Sequence, residues 1–125
     1  MKNFLKIFVV ALMFSLTACQ EDRPQGNASV MQSISNNQIY FFYQNTCPHC
    51  HHAAQYIKSR HPELKMINVD VRNPNGYNLF LKCAQKFNLN QTSLGTPLIC
   101  MGTHYIMGWS DEDAARFDSY ASRFK

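Results

Sequence analysis

The stretch that most constrains this 125-residue chain is Cys47-Pro48-His49-Cys50 with its flanks. Ahead of it runs Ile39-Tyr40-Phe41-Phe42-Tyr43, aromatic or β-branched throughout, as a buried central strand should be. Behind it Ala53-Ala54-Gln55-Tyr56-Ile57-Lys58 has a helical pattern, which His61-Pro62 stops after about Arg60. A strand that passes through a short loop into a helix places Cys47 at or just before the helix N-terminus. Unpaired backbone N–H groups and the positive end of the helix dipole favour an anion there. A thiolate is such an anion. Free cysteine has a pKa near ~8.5, and in such sites it falls to roughly 3.5–7, each unit being about 1.4 kcal/mol in favour of the thiolate. Cys47 is therefore the candidate nucleophile, and Cys50, one turn on, resolves a mixed disulfide. Pro48 and His49 complete the candidate site. The imidazole donates a hydrogen bond to the thiolate or, when protonated, sets a positive charge beside it.

The N-terminus sets the compartment expected for those thiols. Lys2 and Lys6 precede an apolar run from Ile7 to Leu16, which is too short to span a bilayer comfortably. A cleaved export signal is the better reading. Leu16-Thr17-Ala18-Cys19 resembles a bacterial lipobox, which implies cleavage before Cys19 and acyl chains on it as a membrane anchor. An ordinary signal peptide, with Cys19 there by chance, is the alternative. Gln20 rather than Asp follows, which favours the outer over the inner membrane. The expected organisation is a signal peptide at 1–18, a polar tether at 19–37 and a folded domain at 38–125. The expected location is the periplasmic side of a bacterial envelope. Export permits disulfides, and with Cys19 set aside four cysteines remain: Cys47, Cys50, Cys83 and Cys100. Twelve basic residues stand against eight acidic ones, and setting aside Lys2 and Lys6 leaves a balance of only +2. That is no basic stripe, and nucleic acid is not an expected partner.

Beyond the motif the periodicity alternates. Leu64 to Val71 reads as a second strand. Asn73-Pro74 caps a helix with Phe80, Cys83, Ala84 and Phe87 on one side. Asn88 to Gly95 is a polar loop. Pro97 to Met101 and His104 to Gly108 form a hairpin around Gly102-Thr103. Ser110, with Asp113 three residues on, caps a last helix whose buried stripe is Ala114, Phe117, Ala121 and Phe124. The order is β-α-β-α-β-β-α, an α/β domain with a mixed four-stranded sheet and helices on both faces. Its first two strands are parallel and its last two antiparallel.

That order, Cys-Pro-His-Cys after the first strand and Thr96-Pro97 before the third together resemble the thioredoxin superfamily. The size resembles its glutaredoxin-like members, and the likeness covers residues 38 to 125. The resemblance implies a thiol–disulfide oxidoreductase without a bound cofactor. Cys-Pro-His-Cys matches the tetrapeptide of bacterial periplasmic disulfide donors, although those enzymes carry a helical insertion that this chain lacks. The superfamily resemblance implies a cis Pro97 facing the dithiol, with the Thr96 backbone alongside Cys47 to pair with an extended substrate segment. Gly108-Trp109-Ser110-Asp111 partly resembles a glutathione-binding segment, which makes Ser110 and Asp111 candidate contacts and glutathione a candidate co-substrate. Trp109 stands where a second glycine is expected, and a plain helix cap is the simpler reading. Phe41 stands where thioredoxins keep a buried acid.

The implied partners are exported cysteine-containing proteins and a further redox partner that resets the dithiol. Oxidation of clients is the favoured direction, and periplasmic reduction is the alternative. Cys83 and Cys100 are either core thiols or a second disulfide. Two readings from other classes compete. Cys47-Pro48-His49-Cys50-His51 also fits a c-type haem attachment site. The cluster of Cys47, His49, Cys50, His51 and His52 also suits a zinc or copper carrier, although helical geometry turns His51 and His52 apart. No metal is expected in the favoured reading.

Overall fold

Cys19, the expected signal peptide and the tether up to residue 32 lie outside the described residues; the computed structural model describes residues 33–125. Among these the order is β1 (Ile39–Tyr43), α1 (Pro48–Arg60), β2 (Met66–Asp70), α2 (Pro74–Lys86), β3 (Leu98–Met101), β4 (His104–Met107) and α3 (Asp111–Ala121). The sheet runs β2-β1-β3-β4. β1 is parallel to β2, with Phe41 opposite Asn68, and antiparallel to β3, with Phe41 opposite Ile99. β3 and β4 form the hairpin, which turns at Gly102 with φ +64°.

Because β1 is central, both of its faces are buried. Ile39 and Phe41 join Ala53 and Ile57 of α1 and Phe117 and Ala121 of α3 on one side. Tyr40 and Phe42 join Leu79, Phe80 and Cys83 of α2 on the other. Each fully buried aromatic of this kind contributes about 1.5–3 kcal/mol by leaving water. Helix α2 starts where Asn73 accepts from Asn75 N at 2.9 Å, and Pro74 needs no donor at the first position. It can lie close to β2 because Gly76 has no Cβ; one there would meet the Asp70 carbonyl oxygen at 2.2 Å.

Local differences from the expected elements have physical causes. Leu64 falls outside β2 because its N–H turns back to the His61 carbonyl, at 3.1 Å. Phe87 is the C-cap of α2 rather than part of it, and Asn88 leaves the helix at φ 55°. The polar stretch that follows is anchored by Leu89 and Leu94, which pack on the α2-side core. Ile34 packs there too, and Ser35 N donates to Tyr40 OH at 2.9 Å.

Cys83 on α2 and Cys100 on β3 are joined as a disulfide, with Cα atoms 6.4 Å apart, within the span a disulfide bridges. Both are buried, at 0% and 1% exposure. They close a ring that contains the loop leading to Thr96. Changing both to alanine is expected to cost about 3 kcal/mol for a ring of this size. Thermal unfolding of the oxidised protein and the double variant measures it.

At the far end of α1, His61 is buried at 7% exposure and its Nε2 lies 2.6 Å from Asp118 Oδ1 on α3. Tyr56 OH donates to Asp118 Oδ2, also at 2.6 Å. Burial alone would push the Asp118 carboxyl up, but the hydrogen bonds from His61 and Tyr56 outweigh it and hold Asp118 below its ordinary value. The bond to Asp118 in turn raises Tyr56. A carboxyl lowered on folding contributes stability above its unfolded value, near ~4, and loses it as pH falls through the folded one. Asp118→Asn is therefore expected to cost about 1 kcal/mol near neutrality. Its stability should also change less than the wild type's between about pH 5 and pH 2. Denaturant unfolding across that range checks both expectations.

Candidate active site

The loop after β1 closes when Cys47 N donates to the Gln44 carbonyl at 3.2 Å. Cys47 is the N-cap of α1, with extended backbone at φ −98° and ψ 108°, and Pro48 is the first helical residue. The helix thus opens on a residue with no N–H to satisfy. Cys50 N donates to Cys47 Sγ at 3.1 Å. Cys50 N and His51 N also reach the Cys47 carbonyl, at 3.1 and 3.2 Å. No acidic residue lies in the first turn of α1, so no carboxylate competes with a thiolate for that helix end.

Cys47 and Cys50 are joined as a disulfide, with Cα atoms 5.2 Å apart. Their surroundings differ. Cys47 is half-buried, whereas Cys50 is 3% exposed. An incoming thiol or disulfide reaches the first sulfur and is shielded from the second.

Thr96-Pro97 is a cis peptide, and the Thr96 carbonyl oxygen lies 3.5 Å from Cys47 Sγ. It stands ready to accept from the Cys47 thiol once the pair is reduced. Pro97 is fully buried, and its carbonyl accepts from Gly108 N at 2.8 Å. Gly108 has φ +89°, a backbone state that favours glycine. That bond ties the start of β3 to the end of β4.

Three residues beyond Gly108, α3 begins. Ser110 Oγ accepts from Asp113 N at 3.2 Å and donates to Asp113 Oδ2 at 2.9 Å. Ser110 is thus occupied in capping its own helix, and Asp111 is exposed beside it. Trp109 turns towards the protein, with ring centroids 5.7 Å from Tyr56 and 6.2 Å from Phe117. The structure therefore gathers Cys47, Pro48, His49, Cys50, Thr96 and Pro97 at one edge. Ser110 and Asp111 follow the strand end that Gly108 holds to Pro97, and neither bonds to the motif.

His49 is exposed in the first turn. The next histidine makes a bond the sequence did not signal: His51 Nε2 lies 2.8 Å from the Asn45 carbonyl oxygen, to which it donates. Among the described residues no group of three His, Cys, Asp or Glu is placed to hold a metal ion.

No family profile and no curated protein sequence matches the chain. Its three-dimensional form is similar to the glutaredoxin of Archaeoglobus fulgidus, at a TM-score of 0.51 and 14% identity, over 79% of this chain and 96% of that one. The chain has a glutaredoxin fold. Buckwheat glutaredoxin, solved as its glutathione complex, superposes with a TM-score of 0.47 and 13% identity, over 80% of this chain and 81% of that one. At these identities the likeness is one of fold. That fold comprises the mixed sheet and the helices on both faces.

Proposed function

We propose that this protein is an exported thiol–disulfide oxidoreductase that exchanges disulfides with cysteine-containing proteins of the periplasm. The observation that carries the reading is the asymmetry of the pair. A reachable Cys47 sulfur sits at a helix start, accepts an N–H bond and faces the Thr96 carbonyl, while its partner Cys50 is buried. In the reducing direction the Cys47 thiolate attacks a client disulfide and forms a mixed disulfide. Cys50 then displaces the client sulfur and closes the Cys47–Cys50 bond. In the oxidising direction the steps reverse. A client thiolate attacks Cys47, Cys50 leaves as a thiolate, and a second client thiol releases the oxidised client. No bound cofactor takes part, because the two sulfurs carry both electrons.

Oxidation is the direction the motif favours. A helix end without carboxylates and a neighbouring imidazole stabilise the reduced thiolate, which makes the disulfide the stronger oxidant. Glutathione dependence is weakened as an alternative by the start of α3. Asp111, Glu112 and Asp113 already fill its first turn with negative charge, and Ser110 is committed as its cap. A glutathione carboxylate would enter against them.

The export reading rests on Lys2, Lys6, the apolar run and the Leu16-Cys19 lipobox-like segment, with lipid on Cys19 as the anchor and the outer membrane as its favoured site. A further redox partner must reset the dithiol, since each turnover leaves it in the opposite state. The direction is tested by incubating the oxidised protein with reduced, unfolded ribonuclease and following the appearance of client disulfides. Stoichiometric transfer supports an oxidase; no transfer, together with reduction of insulin disulfides by the dithiol form, supports the reductase reading.

A further inference from the structure

Resolution poses a problem that the helix start does not solve. Cys50 must lose a proton before it can attack, and burial penalises its thiolate. We infer that His51 takes that proton, acting as the base for Cys50 rather than for Cys47. The inference rests on the exchange reading above.

A cleft of about 240 Å³ opens beside the end of β1, and its lining includes Phe41, Gln44, Asn45, Cys50, His51 and Asn68. Cys50, nearly closed to solvent elsewhere, and His51 therefore share one space. That space is ample for water, which needs roughly 10–15 Å³ of such volume per molecule, and its amide side chains offer water partners. His51 is set for the task by its other nitrogen. Nε2 donates to the Asn45 carbonyl, so in the neutral ring the lone pair resides on Nδ1. The imidazole is thereby held in the tautomer whose free nitrogen accepts.

Other groups facing this end are less well placed. Phe41, six residues before Cys47, is buried and brings no carboxylate. Asp70 shares its face of β2 with Asn68 but is engaged elsewhere. Its Oδ1 accepts from Arg72 N at 2.9 Å and lies 3.7 Å from Arg72 Nε. Tyr43 on β1 lines the cleft with a phenol, and neither His49 nor His52 lines it. In the step itself the Cys50 S–H proton passes through water to His51 Nδ1. The Cys50 thiolate then attacks Cys47 Sγ of the mixed disulfide. The Cys47–client S–S bond breaks, its electron pair leaves on the client sulfur, and the Cys47–Cys50 bond forms. In the oxidising direction the proton returns from His51 to Cys50.

The two steps separate in stopped flow when the full chain, carrying Cys19→Ser and reduced at Cys47 and Cys50 with the Cys83–Cys100 disulfide intact, meets 5,5′-dithiobis(2-nitrobenzoic acid). Attack by Cys47 releases the first thionitrobenzoate, and attack by Cys50 releases the second. His51→Gln is expected to leave the first phase within about twofold, to slow the second at least about tenfold near neutrality, and to move its rise towards higher pH. In His51→Ala, added imidazole should speed the second phase again, with no such response in the wild type. A second phase unchanged in His51→Gln, or slowed in His51→Ala without response to imidazole, overturns the role of His51 and leaves exchange intact. Absence of the first phase in the wild type would overturn the exchange reading itself.

Discussion

Cys47→Ser is expected to reduce disulfide exchange to the uncatalysed background, whereas Cys50→Ser keeps the first step and loses the second. The difference follows from where the two sulfurs sit. Cys47 is the reachable one, and the Cys50 N–H and the helix end stabilise its thiolate. A serine hydroxyl there keeps the cap and loses the nucleophile. Cys50 is buried one turn on, and its replacement leaves nothing to displace a partner already bonded to Cys47. Partners should therefore accumulate on Cys50→Ser as mixed disulfides that migrate as larger species on non-reducing gels and collapse on reduction. Cys47→Ser should trap none. Unchanged exchange in Cys47→Ser would remove the basis for the proposed activity.

Phe117→Ala carries the largest expected cost to stability, about 3–5 kcal/mol. The side chain is fully buried on the face of the sheet shared by α1 and α3. Its ring lies 5.5 Å from His61 and 6.2 Å from Trp109. Truncation would open a cavity between the two helices and loosen the seat of His61 against Asp118. A domain of this size is stable by only about 5–15 kcal/mol, so the loss is a large share. Denaturant unfolding gives the number. A cost below about 1 kcal/mol would mean that the site collapses around the smaller residue and that this core is less tightly built than its burial implies.

The edge that carries the cysteine pair was legible because its signals are local. The strand, the loop and the helix around Cys47-Pro48-His49-Cys50 follow one another in sequence, and Pro48 occupies the helix position where proline fits. Asn73 and Ser110 announced their helices for the same reason, since a cap bonds to residues two or three positions on. Thr96 needed the resemblance as well, because its approach to Cys47 spans 49 residues. The partnership of His61 with Asp118, separated by 57 positions, left no sequence trace; His61 read only as part of a helix stop. Leu89 and Leu94 were hidden by the polar residues around them, though they pin their loop to the core. In sequence His51 fits a metal or haem ligand, because its bond to the Asn45 carbonyl depends on how the loop folds back.

The reduction potential of the Cys47–Cys50 pair tests the central claim most directly. Full-length protein equilibrated in glutathione buffers, with thiols then trapped and counted at these two positions, gives the value. A couple that exchanges with clients should titrate reversibly between about −270 and −120 mV, towards the upper end if it donates disulfides. A pair that stays oxidised until below about −300 mV would be a structural staple, and the account given for Cys47 would be wrong.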